Sequence, residues 1–256
     1  MNLVYSSWMD IPLDENHIFQ LHSTLLRHSP KDEPHRGRYK TLPNHLEAFD
    51  AEGKSLGVIF ETASPFDTPR LTREHLDWTR DALAGNHYHP LLVIAVFVVR
   101  FLAIHPFQDG NGRLSRILTT LLLLRSGYMY VPYGSLERII EDNKDTYYLK
   151  LLKAQSTLDG DESRLPDWIA FFLGCLERQQ EVIRAKVDQA RLMEPLSPLS
   201  AAIMSAVEDH GRVTVRGAVA ITGANRNTVK AHLKRLVETG KLISRGRGRG
   251  TWYEKR

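Results

Sequence analysis

The stretch HPFQDGNGRLSR, residues 105–116, places a histidine, an acid, two glycines around an asparagine and two arginines between two apolar runs. Upstream, PLLVIAVFVVRFLAI, Pro90 to Ile104, is interrupted only by Arg100. It is shorter than the roughly 20 residues that cross a bilayer, which predicts a buried core helix. Downstream, Leu114, Ile117, Leu118, Leu121 and Leu122 recur at helical spacing until Gly127, predicting a second helix. The polar stretch is then a loop entering a helix N-terminus, where unpaired N–H groups and the helix dipole favour an anion. Glycines let a ligand come close. Arg113 and Arg116, three apart, project from one side of the first turns and suit neighbouring phosphates. Asp109 offers a hard oxygen to Mg²⁺, which commonly takes one carboxylate beside phosphates and water. His105, whose unperturbed imidazole titrates near neutrality, is a candidate base for an incoming hydroxyl. Polyphosphate, metal and base together describe phosphoryl or nucleotidyl transfer. The Gly-x-x-x-x-Gly-Lys-Ser/Thr spacing of a P-loop is missing.

Around this centre the chain reads as mainly α. Asp14 caps an amphipathic helix with Ile18, Leu21, Leu25 and Leu26 on one face. Two short extended runs flank Asp50 to Gly53, a hairpin spanning Asn44 to Thr62. Further helices are expected from Thr72, as N-cap, to Gly85, over Leu136 to Gln155, and from Pro166 to about Arg191. The prolines of EPLSPLS mark a linker, giving expected domains 1–192 (core about 14–190) and 200–256, joined by 193–199.

Composition bounds the function. A chain of 256 residues, 42% hydrophobic and 25% charged, is ordinary globular material. The lone Cys175 excludes an internal disulfide, and MNLVYSSWMD lacks the basic and apolar regions of a secretory signal, so a cytoplasmic protein without a membrane partner is expected. Gly211 to Arg256 carry twelve Lys/Arg against Glu238 and Glu254, a net of +10 in a chain of net +4, leaving −6 for residues 1–210. Such asymmetry points to a module facing a polyanion. Its pattern of three short helices followed by KLISRGRGRGTWYEKR resembles a winged helix-turn-helix. On that reading Arg226, Asn227, Lys230 and His232 face a DNA major groove, while Arg245, Arg247 and Arg249 reach phosphate or minor groove. The competing reading is an interaction or dimerisation module with a solvated basic face.

HPFQDGNGRLSR also fits, at every fixed position, the pattern His-x-Phe-x-Asp/Glu-Gly-Asn-Gly-Arg-x-x-Arg, and the chain resembles the Fic (filamentation induced by cAMP) domain proteins over roughly residues 10–190. The resemblance implies a Fic-type helical bundle with a small β-hairpin flap, and transfer of AMP from Mg-ATP to a Ser, Thr or Tyr hydroxyl of a target protein. By position it makes His105 the base and Asp109 the metal ligand. Gly110, Asn111, Gly112 and Arg113 become the cradle of the α- and β-phosphates, Arg116 the holder of the γ-phosphate, and Phe107 the anchor of the loop. Tyr147, Tyr148 and Gln155 match the places where relatives line the adenine pocket, although Gln155 replaces a more usual asparagine; an alternative is a helix burying its aromatics. Asn44 to Thr62 becomes the flap that pairs with an extended piece of the target. Many relatives hold a Ser/Thr-x-x-x-Glu-Gly/Asn helix whose glutamate pairs with the second motif arginine. Neither Glu15 nor Glu33 stands in that pattern, so either the inhibitory helix lies upstream of this chain or inhibition comes from elsewhere; if no glutamate of the chain occupies the Arg116 site, activity without an activator is expected. A second function class is a DNA-binding regulator whose Fic-like domain senses a nucleotide; an intact His105 favours the enzyme. On either reading a homodimer is among the expected partners.

Overall fold

A computed structural model describes residues 2–49, 55–155, 164–193 and 196–255. It divides into two units, Met1–Glu181 and Val182–Arg256. The division falls inside a long helix, earlier in the chain than the proline-marked 193–199.

The first unit is built around α4 (Pro90–Ile104) and α5 (Asn111–Arg125), the two apolar runs flanking the polar stretch. Hydrophobic on nearly all sides, α4 has to be covered all round. It is packed by α3 (Thr68–Ala84), α5 and α7 (Lys144–Gln155), while α1 (Asn2–Ser7) and α2 (Glu15–Leu25) lie against α5. From α8 (Leu165–Met193) the buried Trp168 donates its indole N–H to the Ala95 carbonyl at 2.8 Å. Asp14 caps α2 as expected, accepting from the His17 amide at 2.9 Å.

Two expected boundaries are corrected. The helix ending at Gly85 begins at Thr68, behind Asp67 and with Pro69 in its first turn, not at Thr72, which is buried within it; proline is preorganised for a first turn. The single helix expected over Leu136 to Gln155 is two, α6 (Leu136–Glu141) and α7, parted at Asp142-Asn143. There the Asn143 amide group bonds back to the Ile139 carbonyl, the local competition that makes Asn and Asp mildly unfavourable inside a helix.

The hairpin is present as β1 (Leu46–Phe49) and β2 (Ser55–Phe60), antiparallel with two register shifts; its turn, 50–54, lies outside the described residues. In the second unit, α9 (Pro198–His210), β3 (Arg212–Thr214), α10 (Val215–Thr222), α11 (Arg226–Glu238), β4 (Leu242–Arg245) and β5 (Trp252–Lys255) enclose Ile203, Val207, Val213, Ala218, Val229, Leu233, Leu236 and Leu242. The antiparallel sheet order is β3-β5-β4. Ser197, Thr214 and Asn225 cap the three helices. After α11, β4 pairs antiparallel with β5 as a hairpin; the three-residue β3 is too short to carry a periodic signal. Among the described residues no helix is long and apolar enough to cross a membrane.

Candidate active site

His105 closes α4 as its C-cap, in the left-handed region at φ 52°. Among the described residues only Asn86 shares a positive φ without being glycine, so the chain is held here in a conformation that costs energy. The turn lets His105 Nδ1–H donate to the Leu102 carbonyl at 3.1 Å. A carbonyl only accepts, so the other nitrogen, Nε2, keeps its lone pair. Burial pushes the imidazole down to about 4, with Lys40 acting in the same direction and the Leu102 bond opposing it. The fold thus moves the group well below the near-neutral value of an unperturbed imidazole.

Phe107 anchors the loop. It is fully buried and stacks on His22, ring centroids 3.8 Å apart. His22 accepts from the Gly37 amide at Nδ1 (2.8 Å), and its Nε2–H donates to the Asp109 carbonyl (2.9 Å). Asn111, at the start of α5, turns its side chain back onto the loop: Oδ1 accepts from the Phe107 amide at 2.9 Å and Nδ2 donates to the Phe107 carbonyl at 2.6 Å. Its side chain therefore shapes the cradle, and its backbone N–H is left for an anion. Gly110 sits at φ 82°, and a Cβ there would approach His22 Nε2 to 3.3 Å, so the backbone favours glycine and any side chain would press on His22. At Gly112 a Cβ would meet only Arg116, at 3.7 Å; the missing side chain leaves the helix mouth open.

These groups line a cleft of about 420 Å³ that includes Asn44, His105, Asp109, Arg113, Arg116 and Tyr148. Asp109 is half-exposed; its Oδ2 lies 3.6 Å from Lys31 Nζ and 3.8 Å from Arg113. Arg116 donates to Glu137 Oε1 of α6 through Nε (3.2 Å) and its terminal amine (2.9 Å). Among the described residues no three His, Cys, Asp or Glu side chains gather to hold a metal by themselves. A metal here would have one protein carboxylate, Asp109, an arrangement that suits Mg²⁺ shared with phosphates. Of the expected adenine contacts, Tyr148 stands half-exposed at the cleft, whereas Tyr147 and Gln155 are buried, Tyr147 against Trp168.

Three residues of the site carry no motif. His22 falls on the apolar face of α2, at helical spacing from Ile18, and that position is the one signal the sequence offers for it. Lys40 lies in a Lys/Arg-rich loop and reads as solvated, and Glu137 reads as an ordinary surface acid.

On the second unit, Arg226, Lys230 and Lys234 recur every four residues along α11 and, with Arg216 of α10, border a concavity whose other wall includes Ser244 and Tyr253. Asn227 is exposed beside them. His232 does not join them: its Nδ1 meets Ser200 Oγ at 2.8 Å, turned to α9. Arg245 is held by Glu254 at 3.0 Å, Arg247 is exposed, and the Arg249 side chain lies outside the described residues.

Comparison with known proteins matches residues 12–123 to the Fic/DOC family and residues 190–256 to a family described as a bacterial protein of unknown function (DUF977). A protein adenylyltransferase Fic of Drosophila willistoni is 31% identical over 114 residues, 44% of this chain and 20% of the relative. A probable protein adenylyltransferase of Aquifex aeolicus is 26% identical over 134 residues, 51% of this chain and 41% of the relative. The chain thus spans between a fifth and two fifths of these curated relatives. Among solved structures, a Fic family protein from Desulfovibrio desulfuricans G20 covers 100% of this chain and 73% of its own, at TM-score 0.55 and 23% identity. A Fic domain containing signaling protein from Bacteroides thetaiotaomicron covers 71% and 66%, at TM-score 0.56 and 24% identity.

Proposed function

We propose, from the match of residues 12–123 to the Fic/DOC family, that the protein is an adenylyltransferase that moves AMP from Mg-ATP to a hydroxyl side chain, Ser, Thr or Tyr, of a target protein. One observation carries the reading: a histidine whose Nδ1–H is tethered to Leu102, leaving an unprotonated Nε2, borders the same cleft as a helix N-terminus and two arginines. The target oxygen attacks the α-phosphorus, the bond to the bridging oxygen of the β-phosphate breaks, pyrophosphate leaves, and the hydroxyl proton passes to His105 Nε2. The backbone N–H groups of Asn111, Gly112 and Arg113 take the α- and β-phosphates, and Arg116 takes the γ-phosphate after parting from Glu137. A magnesium ion held by Asp109 would neutralise phosphate charge. Tyr148 is the adenine contact best supported by its position, and the hairpin within Asn44 to Thr62 offers an edge to which an extended target segment adds.

The test is transfer from labelled ATP to proteins of a lysate. His105→Ala should lower the rate about 100-fold or more, as a general base does, with Mg-ATP affinity unchanged in calorimetry. Affinity falling as far as the rate would make His105 a nucleotide ligand instead.

For the second unit we propose contact with duplex DNA, supported by the net charge of the segment and by the basic ridge Arg226, Lys230 and Lys234. Asn227 and Arg247, both exposed, would add to it, and Arg245, engaged by Glu254, is the weakest of the expected contacts.

A further inference from the structure

Lys40 is 2% exposed, and among the described residues no carboxylate pairs with it. Its ammonium has three hydrogens and finds three neutral acceptors: Asn44 Oδ1 at 2.8 Å, Thr62 Oγ1 at 3.0 Å and the Ile104 carbonyl at 3.0 Å. A neutral amine offers only two hydrogens, so this set favours the charged form. Burial opposes it and brings the group down to about 8, still protonated at neutral pH. A buried cation without a counter-ion is expensive unless every donor is met.

The identity of the three acceptors gives that expense a role. Asn44 precedes β1 and Thr62 follows β2, so they are the two roots of the hairpin. Ile104 is the last residue of α4, directly before the strained His105. A cation on the final carbonyl of a helix also complements the helix dipole. Other bonds run the same way. The Lys40 amide donates to the Pro106 carbonyl at 2.9 Å, Asn44 Nδ2 to the Phe107 carbonyl at 2.6 Å, and the Ala63 amide to the Ala103 carbonyl at 3.2 Å. Thr62 Oγ1–H donates to Asn44 Oδ1 at 2.9 Å.

We propose that Lys40 is a positioning residue: its ammonium pins both roots of the hairpin to the carbonyl preceding His105, so that the edge that receives the target and the base that takes its proton belong to one frame. The proposal rests on the reading of the hairpin as the target-binding flap and of His105 as the base.

The full chain carrying Lys40→Met or Lys40→Arg separates this role from simple support of the fold. Lys40→Met should exchange the amides of 46–49 and 55–60 about 10-fold faster or more while α5 keeps its protection. The His105 imidazole, followed by proton NMR, should titrate higher once the neighbouring cation is gone. For a target protein, kcat/KM should fall about 30-fold or more as geometry loosens, with Mg-ATP affinity within about 3-fold of the parent. Lys40→Arg, which keeps charge and donors, should recover part of the hairpin protection. Unchanged hairpin exchange and an unchanged His105 titration in Lys40→Met overturn the proposal, as does an equal loss of protection throughout the unit that Lys40→Arg leaves uncorrected. Should Lys40→Met not fold, Thr62→Val removes one of the three acceptors, and unaltered hairpin exchange there is equally decisive. If the parent protein transfers nothing to any target, the enzymatic reading fails on its own, and exchange and titration still decide whether Lys40 holds the frame.

Discussion

His105 shows how far a single residue type carries and where it stops. Histidine in that position offers a candidate base, but which nitrogen is free and at what pH depend on a turn at φ 52° and on the Leu102 carbonyl, neither of which composition encodes. With the imidazole depressed to about 4, the base form stays populated far below the usual histidine range. Transfer should therefore remain nearly level from about pH 8 down to about pH 5, where a free imidazole of pKa about 6.5 would have lost most of its unprotonated form. The fold sets the lower bound of that measurement. His22 and His75, the latter near 3, are also lowered by burial. Each contributes stability that is fully present above its unfolded value and is lost as pH falls through the window towards the folded one. Rates are to be compared only where circular dichroism shows the native state. A profile that drops with a midpoint near 6.5 while the protein stays folded would show that His105 is not held as described.

At the scale of elements, α4 and α5 are legible in the sequence because their apolar residues run long and are bounded by proline and glycine, whereas the break between α6 and α7 hides in two polar residues that a helix tolerates. That break matters for the site. It gives α6 its own short course, from which Glu137 reaches Arg116 at 2.9 Å, although the sequence pattern suggests that no glutamate would. Glu15 and Glu33 pair instead with Arg73 and Arg36. The Glu137 side chain is 66% exposed, and a pair so open to solvent contributes only about 0–1 kcal/mol. Glu137→Gln should accordingly raise Mg-ATP affinity by no more than about 5-fold, and the parent protein should transfer AMP without an activator. A silent parent released about 100-fold by Glu137→Gln would make this contact a true brake, stronger than its exposure allows.

The whole molecule joins an acidic segment to a basic one, a division written in the order of its charged residues. The structure sorts the cations of the second unit by what already engages them: Arg245 is taken by Glu254 and Lys255 by Glu208, while Arg226 and Lys230 remain on the concave face. Pattern alone does not make that distinction, because the pairing partners come from elements apart in sequence. The fold also assigns His232 to the α9 side. For the full chain, duplex affinity should fall with salt, log K against log salt having a slope of about −0.9 for each phosphate neutralised. Lys230→Ala should reduce that slope by about one contact for every duplex, and Arg245→Ala, whose guanidinium is already engaged, by less. Asn227→Ala should flatten any preference among sequences while leaving the salt slope nearly unchanged, since a side chain that reads bases carries specificity and one that meets phosphate carries affinity. His105→Ala should bind DNA like the parent, the two chemistries resting on separate side chains. Binding of no duplex more tightly than about 10⁻⁴ M at physiological salt, the weak end even for non-specific association, would turn the basic concavity towards a protein partner, and the −6 charge of residues 1–210 would then be the first polyanion to test against it, by following self-association at low and high salt.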